Sequence, residues 1–487
     1  MAREIFFWQD KIFFEDGWFG YYDGKGNYSV ISRECACKMV SDYNVYQASQ
    51  DVEHGGMETH RAFSGRGFEL VDGKYVYKGN DVERLTDGPV REIGEILEIP
   101  EKVGNYHINR IHKQAFMGNK QIKKVILHEK IDHIGQKAFA DCENLWAVQG
   151  LSEKITVMAD AFANTRLFAG ERAEYLKNVL LKVNTDNQGL FVVKSGITSI
   201  AEQAFMNCKE ITEIDLPESV EYIENFAFQD CENLEKIHMP KSLLRLGAGA
   251  FAGCKSLKSI IVPEGVPEIH RGTFYGCESL LEVRLPETIV SIGHDAFQET
   301  ALMKQFEEGT EEVLYVDNWL IRYKEDFAET LYIKQGTVGV ADMPNFRKRY
   351  LKSVAFPEGL KYIGYCAFEK TDLKTLKLPG TLELLKRSAF RGTKIKEVTL
   401  PESVKQVDEW VFMDCEDIER IIVEGKDTQI VWPAITDRTG GLITVIEAPL
   451  ESRAQAYCKR YGQKYNLVFE ERKPVVKNNI FTLRRKK

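Results

Sequence analysis

Cysteine and histidine have the widest chemical reach in this chain, as thiolate nucleophiles, metal ligands and general bases. The 487 residues include ten cysteines and nine histidines. One grouping has the residue types of a metal site: Cys35-Ala36-Cys37 with His54 and His60. Its Cys-x-Cys spacing is tighter than structural zinc normally uses, and no second cysteine pair follows, so the expectation is no metal. His107, His112, His128 and His133 crowd a short stretch without ligand or catalytic spacing. No Gly-x-x-x-x-Gly-Lys-Ser/Thr, His-Glu-x-x-His, Gly-x-Ser-x-Gly, Cys-x-x-Cys or EF-hand loop occurs. Gly247-Ala248-Gly249-Ala250-Phe251-Ala252-Gly253 is glycine-rich but wrongly spaced for a dinucleotide loop. These motifs point away from an enzyme and from any cofactor.

Six cysteines share a single place in a repeating unit. Cys142, Cys208, Cys231, Cys254, Cys277 and Cys415 each lie three residues after a phenylalanine, and Thr165, Thr300, Thr371 and Thr393 take the same place elsewhere. A position that accepts either residue has a structural role: a small, buried group with a weak donor that satisfies turn carbonyls. The unit reads Leu-x-x-Ile-x-Leu-Pro-x-x-Val-x-x-Ile-x-x-x-Ala-Phe-x-x-Cys. Its phenylalanines form a ruler: Phe116, Phe139, Phe162, Phe205, Phe228, Phe251, Phe274, Phe297, Phe346, Phe368, Phe390 and Phe412. Most steps are 23 residues, falling to 22 for the last three, with longer steps of 43 and 49 after Phe162 and Phe297.

The two long steps resemble each other at an offset of 140 residues. One contains Asn178-Val179-Leu180-Leu181-Lys182 and then Phe191-Val192-Val193-Lys194-Ser195-Gly196. The other contains Asn318-Trp319-Leu320-Ile321-Arg322 and then Leu331-Tyr332-Ile333-Lys334-Gln335-Gly336. Both are expected to be strand pairs built into the array.

Ile214-Asp215-Leu216 alternates apolar and polar, as a short strand with one buried face does, and Pro217 ends it because proline donates nothing to a ladder. One such unit cannot bury its apolar face alone; stacked units can. The expected fold is mainly β with short helical or 3-10 turns: a parallel β-solenoid of about twelve units, Phe and Ala alternating large and small in its interior. The unit quoted as Ala227-Phe228-Gln229-Asp230-Cys231-Glu232-Asn233-Leu234-Glu235-Lys236-Ile237 resembles the BspA-like, or Treponema-type, leucine-rich repeats. The resemblance covers about residues 90–425. It implies a leucine-rich-repeat solenoid and, as in much of the family, a bacterial or protist surface protein that binds host or matrix proteins.

Domain boundaries follow from where the repeat stops. Residues 1–88 lack it and are aromatic-rich (Phe6, Phe7, Trp8, Phe13, Phe14, Trp18, Phe19, Tyr21, Tyr22), with Asp23-Gly24 and Asp72-Gly73 as hairpin turns. They are expected to form a β-rich cap or small module. Residues 89–425 form the solenoid, with hairpin insertions at about 170–190 and 307–335. Residues 426–470 form a C-terminal cap, in which Ser452-Arg453-Ala454-Gln455-Ala456-Tyr457-Cys458 through Leu467-Val468-Phe469 resembles the helix-plus-strand ending of such arrays. Residues 471–487 form a basic tail.

A net charge of −8 argues against a nucleic-acid partner, which a basic face would mark. No run approaches the ~20 apolar residues of a membrane span. Met1 to Lys11 does not read as a secretory signal, so a cytoplasmic location is expected, with the cell surface or secretion as the alternative.

Strand geometry nominates the recognition surface. Residues flanking each inward Ile point outward: Lys124 and Ile126, Glu213 and Asp215, Lys236 and His238, Ser259 and Ile261, Glu282 and Arg284, Thr375 and Lys377, Glu397 and Thr399, Arg420 and Ile422. They vary from unit to unit, with mixed charge and scattered apolar groups, which suits a protein partner. The leading expectation is a non-catalytic binding or scaffold protein. A surface adhesin and an enzyme or ligand sensor active in residues 1–88 are the alternatives.

Overall fold

The computed structural model describes residues 3–7, 10–15, 18–23, 25, 27–32, 35–36, 39, 68–71, 74–77, 93–103, 105–152, 155–168, 172–324, 329–344, 350–431, 433–434 and 443–472. Short strands are stacked coil upon coil into a parallel β-solenoid. Two compact units divide it: Met1–Cys208 with Ser219–Phe228, and Lys209–Glu218 with Gln229–Lys487.

Within the first unit each coil contributes two strands. Ile96–Glu98, Lys124–Ile126 and Ala147–Gln149 form one parallel ladder, and Arg110–Ile111, His133–Ile134 and Thr156–Val157 form another. Single apolar residues between polar ones make strands of two or three residues, with Leu97, Val125, Ile111 and Ile134 buried. The first coil's edge is covered. Arg3–Phe7, Asp10–Glu15, Trp18–Tyr22 and Tyr28–Ile31 form an antiparallel meander, and Ser29 and Val30 pair in parallel with Arg110 and Ile111. Phe68–Val71 and Lys74–Tyr77 pair antiparallel.

The Ala-Phe segment is a turn of unusual regularity. Two residues before and two after each phenylalanine the backbone is left-handed: Gln114 and Gly118 around Phe116, Lys137 and Asp141 around Phe139, Gly272 and Gly276 around Phe274, Ser388 and Gly392 around Phe390. This alternation turns every second N–H toward the next coil. Lys137, Phe139 and Asp141 donate to the carbonyls of Ala159, Ala161 and Ala163; Gly272, Phe274 and Gly276 donate to those of His294, Ala296 and Gln298. The rings stack beneath. Phe116, Phe139 and Phe162 lie 5.4 Å apart, and Phe205 and Phe228 4.9 Å. In the second unit Phe251, Phe274 and Phe297 follow at 5.8 and 5.7 Å, and Phe368, Phe390 and Phe412 at 5.5 and 6.0 Å. Phe346 lies outside the described residues.

Cysteine and threonine play distinct parts at their common position. Cys142, Cys277 and Cys415 reach the carbonyls of Phe116, Phe251 and Phe390, one coil back, at 3.1 to 3.2 Å. Thr165, Thr300 and Thr371 close on the phenylalanine carbonyl of their own coil at 2.7 to 2.9 Å.

The two long steps contain matching hairpins, but not with the strand partners expected from the sequence. Ala173–Leu176 pairs antiparallel with Val179–Val183, and Val313–Val316 with Trp319–Tyr323, each with an irregularity after its second residue. The segments Gly189–Val192 and Thr330–Tyr332 are not the antiparallel partners; Thr330–Tyr332 pairs in parallel with Ser353–Ala355. Tyr175 sits under Lys194 at 4.2 Å and Tyr315 under Lys334 at 4.1 Å, so the two devices agree down to a cation–π contact.

The second hairpin is preceded by helix α1, Ala301–Glu308, capped by the Thr300 side chain and packed against Val313–Val316 with Met303 and Phe306 buried. At the C-terminal end Thr444–Ala448 joins the ladder of Glu397–Leu400 and Arg420–Val423. Helix α2, Arg453–Tyr465, then leads through left-handed Asn466 into Leu467–Glu471, which pairs with Thr444–Ala448. Ser452 caps α2 and Tyr457 anchors it in the core.

Candidate functional site

On the strand side of each coil the central residue is inward and its neighbours face out. Ile214, Ile260, Val283, Leu376, Val398 and Ile421 are buried. Glu213, Asp215, Lys236, His238, Ser259, Ile261, Glu282, Arg284, Thr375, Lys377 and Glu397 are exposed; Lys124, Ile126, Thr399, Arg420 and Ile422 are half-buried. Register places Glu213 beside Lys236 and Asp215 beside His238, with Ser259 and Ile261 beside Glu282 and Arg284. Opposite charges on neighbouring strands support the ladder at modest gain.

Two of the charged residues nominated from sequence are engaged within the chain. Arg284 meets Asp317, at the hairpin turn, at 3.0 Å. Arg420 bridges Glu447 and Glu470 at 3.0 and 2.8 Å, and Arg472 extends that network to Glu424. Apolar side chains stand among the polar ones. Ile261 is 70% exposed and Tyr332 73%, and in the first unit Leu190 and Val192 are 57% and 58% exposed. Sequence reasoning missed Leu190, Val192 and Tyr332. Their signal was present in the matched long steps, where Phe191 and Leu331 are the inward residues and these are the flanks.

Three buried thiols of the repeat position are poor nucleophiles. Burial pushes Cys142 and Cys208 up to about 11 and Cys277 to about 12, so the reactive thiolate is suppressed. His128 donates to the Pro100 carbonyl and His112 to that of Lys113, while burial and then Arg110 hold His133 down to about 4. Among the described residues no group of three or more His, Cys, Asp or Glu is placed to hold a metal ion, and no helix is long and apolar enough to cross a membrane. Cys37, His54 and His60 lie outside the described residues, as do residues 473–487 of the basic tail.

The sequence pattern of the BspA type leucine rich repeat region is matched in six copies over residues 97–169, 184–307 and 343–445. The chain belongs to the BspA-type leucine-rich repeat family. Three solved structures are similar at low identity. A leucine-rich repeat protein of Bacteroides ovatus is 19% identical, covering 79% of this chain and 94% of its own, with a TM-score of 0.27. A leucine rich cell surface protein of Faecalibacterium prausnitzii is 21% identical, covering 84% and 93%, with a TM-score of 0.25. The pneumococcal vaccine antigen PcpA is 18% identical, covering 78% and 90%, with a TM-score of 0.26. No curated protein matches the chain.

Proposed function

We propose that this BspA-type chain is a non-catalytic binding protein that holds a protein partner on its strand face. The supporting observation is that large apolar side chains, Ile261 and Tyr332 foremost, stand exposed among polar and charged residues on two parallel strand pairs of the second unit. Exposed apolar groups ringed by polar ones characterise recognition surfaces, and the hairpin ties of Arg284 hold part of that surface in place. Glu213, Asp215, Lys236, His238, Ser259 and Glu282 complete the surface within the second unit. The variant Ile261→Asp/Tyr332→Asp tests this, alongside charge reversal at Glu213, Asp215 and Glu282. Both should lose a partner captured by the wild-type protein from its native cell while melting at the wild-type temperature. Undiminished capture of that partner would count against the strand face. Much of residues 1–88, where an enzymatic or sensing activity would reside, lies outside the described residues.

A further inference from the structure

A coil is incomplete where the first hairpin enters the array. Val179–Val183 supplies the strand of a coil: Val179 and Leu180 pair in parallel with Ser199 and Ile200, and the Leu180 carbonyl accepts from Ala201 as in any coil. The chain then runs on through Asn184 and Thr185 without an Ala-Phe turn. The turn around Phe162 therefore has no following Ala-Phe turn to bond, and the next coil reaches it through the Glu202 carboxylate, which accepts from the Ala159 N–H at 3.4 Å. Its three forward-facing amides are those of Asp160, Phe162 and Asn164, the set that in the preceding coil bonds the next turn. Among the described residues none of the three has a hydrogen-bond partner. Asp160 and Asn164 are left-handed, as in the regular turn, so the donors are held in place by the fold.

In front of them lies a cleft of about 390 Å³, bounded on its far side by Glu202, Gln203 and Met206. This is within the size range of small-ligand sites, roughly 300–1,000 Å³. Its ionisable groups are unbalanced. Asp160, Glu174 and Glu202 face it with the single cation Lys182, which lies 3.7 Å from Asp160. Burial raises the carboxyls of Glu174 and Glu202, with Asp160 adding to both; Lys182 offsets this in part for Glu174, and the Ala159 N–H in part for Glu202. The second hairpin is built differently at the same place. Leu314 stands where the first has Glu174, is buried, and belongs to the strand that α1 packs against. The acidic cleft is thus particular to the first hairpin and is not imposed by hairpin geometry.

We propose that this cleft takes a short peptide segment carrying a lysine or arginine, whose backbone carbonyls meet the amides of Asp160, Phe162 and Asn164 while its cation meets Glu174 and Glu202. A peptide supplies both requirements at once: acceptors at regular spacing for a row of amides, and a positive charge for carboxylates that lack one. A simple anion would meet the amides but be repelled by three carboxyls, and a free metal ion would leave the amides unmet.

The experiment uses the full chain and two fluorescein-labelled heptapeptides, Gly-Ser-Ala-Lys-Ala-Ser-Gly and its counterpart with glutamate at the centre, read by anisotropy. The lysine peptide should bind at least tenfold more tightly, and Glu174→Gln/Glu202→Gln should abolish that preference. Glu174→Gln alone, at a half-buried position, should reduce it severalfold, with circular dichroism confirming the native melting profile. Equal binding of the two peptides, no binding of either at millimolar concentration, or a preference that survives in both variants would overturn the assignment. Strand-face variants should leave this binding unchanged, so the cleft and the strand face fail or stand separately.

Discussion

The carboxylate of Asp317 grips Arg284 at 3.0 Å and, through its other oxygen, the backbone N–H of Leu285 at 2.7 Å. The tip of the second hairpin is thereby fastened to a strand-face residue of the same unit. Asp317 is itself left-handed, with φ of 47°, which aspartate tolerates better than most residues. Asp317→Ala should cost about 1–2 kcal/mol, because the bond from the Leu285 N–H and the local conformation are both lost while the exposed ion pair adds little. Asp317→Gly, which keeps the turn conformation, should cost less. Urea denaturation of the two variants checks the order.

Phe274 is stacked on both sides, by Phe251 and Phe297, and is fully buried. Phe274→Ala should destabilise by about 3–5 kcal/mol through lost transfer energy and the cavity left behind. Phe274→Leu should cost about half as much. Equal loss in both, followed by tryptophan fluorescence in denaturant, would show that refilling the volume recovers nothing and that the ring stack carries the whole effect.

Cys277 donates to the Phe251 carbonyl from a site where its thiol is pushed up to about 12. In the folded protein Cys142, Cys208 and Cys277 should resist iodoacetamide at pH 8 and react fully once unfolded, as mass spectrometry of the peptides would show. Cys277→Ser keeps a donor in reach; Cys277→Ala leaves the Phe251 carbonyl with the Cys254 N–H alone and should cost about 1 kcal/mol more.

His133 titrates at about 4 in the folded chain against an ordinary 6.5, because burial and Arg110 disfavour its charge. Between those values the unfolded state binds the extra proton, so stability is intact above pH 6.5 and is lost as pH falls toward 4. His133→Gln should flatten that part of the profile. Melting temperatures at half-unit pH steps would show it; parallel profiles for both proteins would remove His133 as the cause.

The solenoid was legible because the ruler phenylalanines repeat at a step too regular to arise from separate cores. The left-handed position after each phenylalanine was half legible: Gly118, Asn164, Asn207, Gly253 and Asp414 are residue types that accept it, but Lys370 and Glu299 are not. The position before it was hidden, since Gln114, Lys137, Phe226 and Trp410 advertise no such conformation and are held there by the ladder. The hairpin partners were misread because Ala173-Glu174-Tyr175-Leu176 lacks the apolar run of Leu180-Leu181, so the earlier strand did not stand out. The cleft's trace in the sequence was the 43-residue step after Phe162, where an Ala-Phe turn is missing, and that step alone does not show that a cleft opens there.

Each regular turn sends its amides one way along the stack and its carbonyls the other, so every coil presents donors on one edge and acceptors on the opposite edge. A gene segment encoding one whole coil can therefore be gained or lost with both new junctions still matched, provided reading direction is kept. Length in such a chain is free to drift in steps of 22 or 23 residues, whereas a cut made partway through a turn strands bonding groups on both sides.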